Sequence, residues 1–401
     1  MLQNPLLKDP KVLLYLSYRL LVTLAIQMQS VGVAWQIYEI THSPMHLGYV
    51  GLAIFVPNLL FALPGGRAAD RYPRRRLMSL SVGLLLAASL FLWSGTYSSN
   101  PSVWAIYAIL MVIGVARAYG GPSTSSYLPQ LVAPEHLSKA IALNSTVFQF
   151  GIIAGPALAG FIVSLTSGSL RWLYAACALA LGAALLGISK LPSFAPPEQQ
   201  RELDLLGGLR FVWREKIVLG ALSLDLFAVL LGGAVALLPI YAREILKVGP
   251  TGLGAMRSAP AVGALAMALL LSLWPPRKHV GVLMFVSVLL FGLFTILFGL
   301  STHYGWSLFC LAMLGATDMI SVVIRTTLVQ VLTPEQVRGR VNAVNMVFIG
   351  ASNELGEFES GLTAAWLGTV PAVVWGGLGT CLVVLLWCLL FPALRKADKM
   401  T

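Results

Sequence analysis

Apolar and polar positions in this chain segregate on one coarse scale. Stretches of about 20 nearly uncharged residues are joined by short polar connections, and that is the length an α-helix needs to cross a bilayer core. Val280–Leu300 and Val370–Leu390 are clear examples. The pattern predicts twelve spans, over residues 12–38, 46–64, 77–97, 103–126, 140–165, 171–189, 216–242, 252–274, 280–300, 305–328, 341–364 and 370–391. Ten-residue alternating segments of the membrane β-barrel type are absent. The expected fold is therefore all-α and membrane-embedded, with twelve transmembrane helices.

Composition agrees with that pattern. Of the 401 residues 57% are hydrophobic and 11% charged, with mean hydropathy +0.81, whereas soluble domains carry about 25% charged residues. The net charge of +11 suggests nucleic acid until the charges are placed. With the N-terminus inside, 20 of the 27 basic residues fall on the cytoplasmic side. They include Lys8, Lys11, five arginines between Arg67 and Arg76, Lys139, Lys190, Arg201, Arg277, Arg338 and Lys399. Arg171, Arg243 and Lys247 fall on the other side. The positive-inside rule then expects both termini to be cytoplasmic, in a multi-pass inner-membrane protein. The basic charge is topological, and no nucleic-acid partner is expected. The first apolar segment is too long for a cleavable signal and has no small-residue cleavage site. Cys177, Cys310, Cys381 and Cys388 fall inside spans, where reduced packing residues are expected.

The single long polar connection divides the chain into a six-helix bundle over 1–190, a cytoplasmic linker over 191–215 and a second six-helix bundle over 216–401. An internal repeat supports that division. Gln130-Leu-Val-Ala-Pro134-Glu135 recurs as Gln330-Val-Leu-Thr-Pro334-Glu335, and Phe148 and Phe348 keep the same offset. Thr333-Pro334-Glu335-Gln336 has the spacing of a capping box opening the eleventh span. A pair of repeated bundles suggests a transporter that rocks one half against the other around a central site.

Between spans two and three the chain reads Gly66-x-x-x-Asp70-Arg71-x-x-Arg74-Arg75. In a twelve-span chain this resembles the signature loop of the major facilitator superfamily, with Pro73 where the family pattern has Gly. The resemblance implies the family's fold, two six-helix pseudo-repeats, along the whole chain. It also implies a conformational latch formed by Gly66, Asp70, Arg71, Arg74 and Arg75, in which Asp70 meets the start of the eleventh span. A solvated topogenic charge cluster is the alternative. Gly151-x-x-x-Gly155-Pro156-x-x-x-Gly160 in span five resembles the Gly-Pro packing motif of family exporters, with Ala159 at a usual Gly position. Small residues there allow close helix approach, and Pro bends the helix.

Ionisable residues within spans are costly and generally face a cavity or a partner. Arg19, Thr23, Gln27 and Ser30 share one face of span one, lining either a substrate cavity or an interhelical hydrogen-bond ladder. Asn342, Asn345, Asn353 and Glu357 share a face of span eleven, with Glu354 to one side and Glu359 on the far flank. A partly desolvated carboxylate such as Glu357 is a candidate for carrying a coupled proton; pairing with an arginine of another span is the alternative. Glu354, Asp225, Asp318 and Arg117 are the further proton-coupling candidates, and Arg325 a further cavity candidate. Arg117 resembles the family's fourth-helix arginine and occupies the repeat position of Asp318. Asp225 can pair with Arg325 or with the substrate. Gly232-Gly233, Pro239 and Pro260 are expected to loosen spans seven and eight.

No Walker loop, metal-ligand cluster or hydrolase motif appears. An enzyme is therefore not expected, and neither is a metal or cofactor; the proton gradient would supply the energy. The pattern including Pro334-Glu-x-x-Arg338-Gly339-Arg340 resembles the bacterial siderophore-exporter and drug-efflux branch, which includes enterobactin exporters. That resemblance implies export of amphipathic small molecules, and the intramembrane acids add the expectation of proton coupling; a lipid-embedded monomer is the default, since twelve spans already enclose a pathway. A proton-coupled nutrient importer shares the fold and is the alternative, and a non-transporting membrane sensor is the remote one.

Overall fold

The computed structural model describes residue 6 and residues 8–98, 101–194, 205–276 and 278–397. Arg201, with the rest of 195–204, and Arg277 and Lys399 lie outside the described residues. The described chain is helical throughout: α1 Pro10–Thr41, α2 Pro44–Arg71, α3 Arg74–Gly95, α4 Val103–Leu131, α5 Leu137–Leu165, α6 Leu170–Lys190, α7 Leu205–Arg214 and α8 Lys216–Leu231. After a 3₁₀ turn, Ala234–Leu237, come the short α9 Leu238–Ile240 and a π turn, Tyr241–Ile245. Then follow α10 Gly249–Leu273, α11 Val280–Gly299, α12 Tyr304–Leu332, α13 Glu335–Leu367, α14 Thr369–Leu390 and the short α15 Pro392–Arg395.

Local chemistry sets the helix ends. Asp9 caps α1 by accepting from the Lys11 backbone N–H at 2.8 Å, and Pro10 fills the first helical position, where no N–H is required. At the other end His42 turns left-handed, φ 48°, and donates its N–H to the Tyr38 carbonyl at 2.9 Å. The capping box expected at Thr333 does not form. Pro334 forces the residue before it into extended backbone, so Thr333 closes α12 instead. Its hydroxyl is buried without a hydrogen-bond partner, and α13 opens with no side-chain cap.

Among the described residues, eleven helical runs are long and apolar enough to cross a membrane, counting Lys216–Ile245 as one. The twelfth is α13. Its 33 residues are ample for a crossing, while its glutamates lower its hydropathy. The seventh span breaks where Gly232-Gly233 and Pro239 stand: α8 stops at Leu231 and, apart from the three-residue α9, α-helix does not resume before Gly249. Two adjacent glycines are poor helix formers, and Pro239 has no N–H to donate. Many large apolar side chains point outward, among them Leu60, Phe91, Leu179, Trp366 and Leu389, as expected of surfaces solvated by lipid.

The helices group into two compact units. The first comprises residues 1–42, 53–200 and 249–258; the second comprises 43–52, 201–248 and 259–401. In the first, α1 packs on α5 and α6 while α3 packs on α4 and α6. Its core includes the stacked Tyr15 and Tyr127 rings, 5.8 Å apart, and a Tyr174–Gln36 hydrogen bond of 2.6 Å. In the second, Leu224, Met284, Phe285, Val288, Ile324 and Val384 of α8, α11, α12 and α14 form the main cluster. The amphipathic α7 lies against α13: Val212 is buried, the Gly208 backbone meets that of Arg340, and Trp213 stays exposed.

Candidate functional site

Three helices of the second unit bring four of the candidate residues together. Asp225 sits midway along α8, Asp318 and Arg325 on α12, and Asn345 on α13. On α12 the positions 318, 321 and 325 fall at i, i+3 and i+7, which is one helical face. Arg325 Nη1 meets Asp225 Oδ2 at 2.7 Å, with side chains 3% and 7% exposed. The same nitrogen donates to Asn345 Oδ1 at 3.4 Å. Asp318 and Asp225 face each other across a cavity of about 10 Å³, closed by Ala228, Val229, Val288, Phe291, Thr317 and Ser321. That is room for about one water molecule. Ser321 Oγ, in a side chain buried at 1% exposure, has no hydrogen-bond partner, and neither does Arg325 Nε. Arg325 thus pairs with Asp225, while Asp318 stands across the cavity in a nearly closed apolar setting.

The α13 carboxylates occupy different surroundings. Gly51 of α2, within the same unit, lies so close that a Cβ there would stand 2.7 Å from the Glu354 carbonyl and 2.9 Å from Glu357 Cβ. Tyr49 stacks on Phe358 at 6.0 Å in the same crossing. Glu359 accepts from Thr363 Oγ1 at 2.7 Å. Asn342 and Asn353 are exposed, and Asn353 donates to the Ile349 carbonyl at 2.9 Å. The shared polar face of α13 therefore divides. Asn345 belongs with Arg325, while Glu354 and Glu357 lie at the α2 crossing.

In the first unit the α1 stripe packs against the Gly-Pro segment of α5. Thr23 is buried and back-bonds to the Arg19 carbonyl at 2.8 Å. Its methyl group and Gln27 Cβ fill the space beside Gly151 and Gly155, so the missing side chains of α5 are what admit α1. Arg19 stands apart: its guanidinium lies 4.3 Å from the ring centroid of Phe148, and Phe148 is 37% exposed. Pro156 and Gly160 pack against the start of α10, where Ser258 Oγ donates to the Ile153 carbonyl at 2.7 Å. Arg117 is half-buried on α4.

The loop between α2 and α3 is tied into its own unit. Arg74 donates to the Ser126 carbonyl near the end of α4 at 2.6 Å. Arg75 donates to the Leu191 carbonyl, just past α6, at 2.8 Å. The second places positive charge at the C-cap of α6, where a helix end leaves carbonyls unpaired. Asp70 is partly buried within electrostatic reach of Arg74, and Arg71 is exposed; Gly66 is partly buried in the last turns of α2.

One ionisable residue was not among those picked out from the sequence. Arg257 lies inside α10, half-buried, and donates to Ser30 Oγ at 3.2 Å. An arginine in a span was signal enough for its selection. Its partner Ser30 is the last residue of the α1 stripe, which the sequence did assign to a polar face.

Comparison with known proteins extends this description to the whole chain. The family model described as Major Facilitator Superfamily matches residues 16–357. The enterobactin exporter EntS of Shigella boydii serotype 18 is 27% identical over 385 residues, 94% of this chain and 91% of that one. EntS of Citrobacter koseri is 28% identical over the same shares. Among solved structures, a POT family transporter in complex with a thioalcohol-conjugated peptide superposes with TM-score 0.74 at 12% identity, covering 96% of each chain. The D-xylose-proton symporter superposes with TM-score 0.73 at 13% identity, covering 94% of this chain and 96% of that one. With the family model spanning most of its length and the family's fold along nearly all of it, this chain belongs to the major facilitator superfamily and is a multi-pass membrane transporter.

Proposed function

We propose that the protein is a proton-coupled exporter of amphipathic, anionic small molecules of the siderophore or drug-like kind, working by alternating access. The observation that carries this reading is the concentration of membrane-embedded carboxyl groups in one unit. Asp225, Asp318, Glu354, Glu357 and Glu359 all lie on the spans α8, α12 and α13. Packing alone does not call for five acids in an apolar phase, where each is costly unless it is paired or protonated. Export is supported by the full-length similarity to enterobactin exporters. The energy source is the proton gradient, with no bound cofactor. A monomer suffices, because twelve spans already enclose a pathway, and both termini face the cytoplasm.

Anionic cargo is supported by Arg19. Its guanidinium already stacks on the exposed Phe148 ring, and arginine combines a weakly hydrated flat cation with fixed donors for carboxylates and phenolates. Arg19→Gln is expected to raise the apparent KM for lipophilic anions about tenfold, the loss of one charge-assisted contact. The KM for lipophilic cations should stay unchanged, and equal loss for both classes would assign Arg19 to packing.

The coupling itself is tested in inside-out vesicles with an imposed proton gradient. A pH-sensitive dye is followed as siderophores, lipophilic anions and lipophilic cations are added in turn. Dissipation of the gradient by one class, absent from vesicles without the protein, is the expected result. No response to any compound by demonstrably folded protein would refute proton antiport.

A further inference from the structure

The geometry points to a specific proton-binding site within that reading: we propose that Asp225, Arg325 and Asp318 together hold one exchangeable proton, carried by Asp318 when Arg325 is paired with Asp225. The inference rests on proton-coupled transport and names where the proton binds.

The charge count is the first argument. Two carboxylates and one guanidinium sum to −1 if both acids are ionised, and a net charge in a closed apolar cluster is expensive. Among the helices packed on α12, α11 carries no charged residue and α8 contributes Asp225. The contact of α13 at this point is Asn345, an uncharged acceptor. Its charged residues are elsewhere: Glu354 and Glu357 at the Gly51 crossing, Glu359 on Thr363, Arg338 beside Glu335 in the first turn, and Arg340 where its backbone meets Gly208. In α10 the single charged residue is Arg257, which belongs to the first unit together with its partner Ser30. Among the described residues no second cation faces Asp318, so a proton is the group that balances the cluster.

The second argument is independent of charge. Ser321 is 1% exposed, lines the cavity between the two carboxyl groups, and its Oγ has no hydrogen-bond partner. Buried hydroxyls are nearly always partnered. A cavity of about 10 Å³ beside it fits a single water, and a hydroxyl that both donates and accepts can hold that water between Asp225 and Asp318. The arrangement supplies a proton path of one water between two carboxyl groups.

Geometry also gives the proton a mechanical consequence. In this structure Arg325 joins Asp225 on α8 to Asn345 on α13. Transfer of the proton from the Asp318 carboxyl to water leaves a carboxylate and a hydronium ion. The new carboxylate lies on Arg325's own helix two turns away, and it competes with Asp225 and Asn345 for the guanidinium. Deprotonation thereby loosens the tie between α8, α12 and α13, and reprotonation restores it.

Infrared difference spectroscopy on the full-length protein in lipid nanodiscs tests this without any cargo. The protonated carboxyl C=O stretch is compared between mildly acidic and alkaline buffer. The expected result is a titrating band that is lost in Asp318→Asn and kept in Glu357→Gln and Glu354→Gln. Asp225→Asn should remove it too, because Arg325 then pairs with Asp318 and keeps it ionised; a paired carboxylate with no competing acid needs no proton. A band unaffected by Asp318→Asn and Asp225→Asn, or one lost in Glu357→Gln, overturns the proposal. Cargo-driven proton flux is a separate readout. Absent flux with an Asp318-dependent band refutes the coupled-export reading and leaves the proton site standing, whereas flux without such a band refutes the site alone.

Discussion

Arg325→Met is expected to destabilise the protein by about 3–5 kcal/mol, the cost of stranding a buried charge by removing its partner. Asp225→Asn is expected to cost about 1 kcal/mol, the order of one exchanged hydrogen bond. A simple ion pair would give similar losses from either side. The difference arises because Arg325 has a second acid within reach: removing Asp225 lets the guanidinium turn to Asp318, while removing Arg325 leaves Asp225 and Asp318 without a cation. Both side chains of the present pair are under a tenth exposed, so solvent cannot supply the missing charge. The check is the midpoint of helix loss in a denaturing-detergent titration, comparing both single variants with Asp318→Asn/Arg325→Met. Equal losses for Arg325→Met and Asp225→Asn would show that Arg325 serves Asp225 alone. The double variant should stay within about 1 kcal/mol of Arg325→Met, because Asp318 is already neutral and Asp225 remains the stranded charge.

The same residues show what the sequence reveals and where it stops. Long apolar runs such as Val280–Leu300 declare a span by length alone, and the break in span seven is written in Gly232-Gly233 and Pro239. The eleventh span, 341–364, is one of the twelve the apolar pattern predicts although its glutamates lower its hydropathy, and the repeat that aligns Pro134 with Pro334 supports it. A short amphipathic helix such as α7 is not legible inside a polar connection, because it gains its stability from docking Gly208 and Val212 on other elements. Asp225 and Arg325 could be matched as opposite charges in apolar surroundings, 100 positions apart. That Asp318 faces the same cavity as Asp225, and that Ser321 lines it between them, depends on how α8 and α12 rotate against each other. No local pattern encodes that rotation. The capping-box spacing at Thr333 was misleading for a related reason: the motif fits the letters, but the proline ring moves the threonine outside the helix it was expected to cap.

Gly315→Leu is expected to abolish the folded second unit's packing at α12, and Gly315→Ala to destabilise it by about 2–3 kcal/mol. A Cβ on Gly315 would collide with the carbonyl oxygen of Pro260 on α10, and one on Gly263 of α10 would collide with the carbonyl of Ala312. Both obstacles are backbone, which cannot rotate aside as a side chain can. Alanine's higher helix propensity returns at most about 1 kcal/mol, too little to offset the overlap. Gly83 of α3 provides the control. Nothing lies within 4 Å of a Cβ there, so Gly83→Ala should be neutral or stabilise by up to about 1 kcal/mol. Thermal unfolding midpoints in detergent measure both, and a Gly315→Ala midpoint at or above that of the parent would remove the α10–α12 crossing as a constraint. The crossing also reaches the chemistry: Asp318 is three residues on, about one helical turn. Relieving the collision shifts α12 away from α10 and carries Asp318 out of register with Asp225. Gly315→Ala should therefore weaken the Asp318-dependent infrared band in protein that remains folded, an effect that Gly83→Ala should not share.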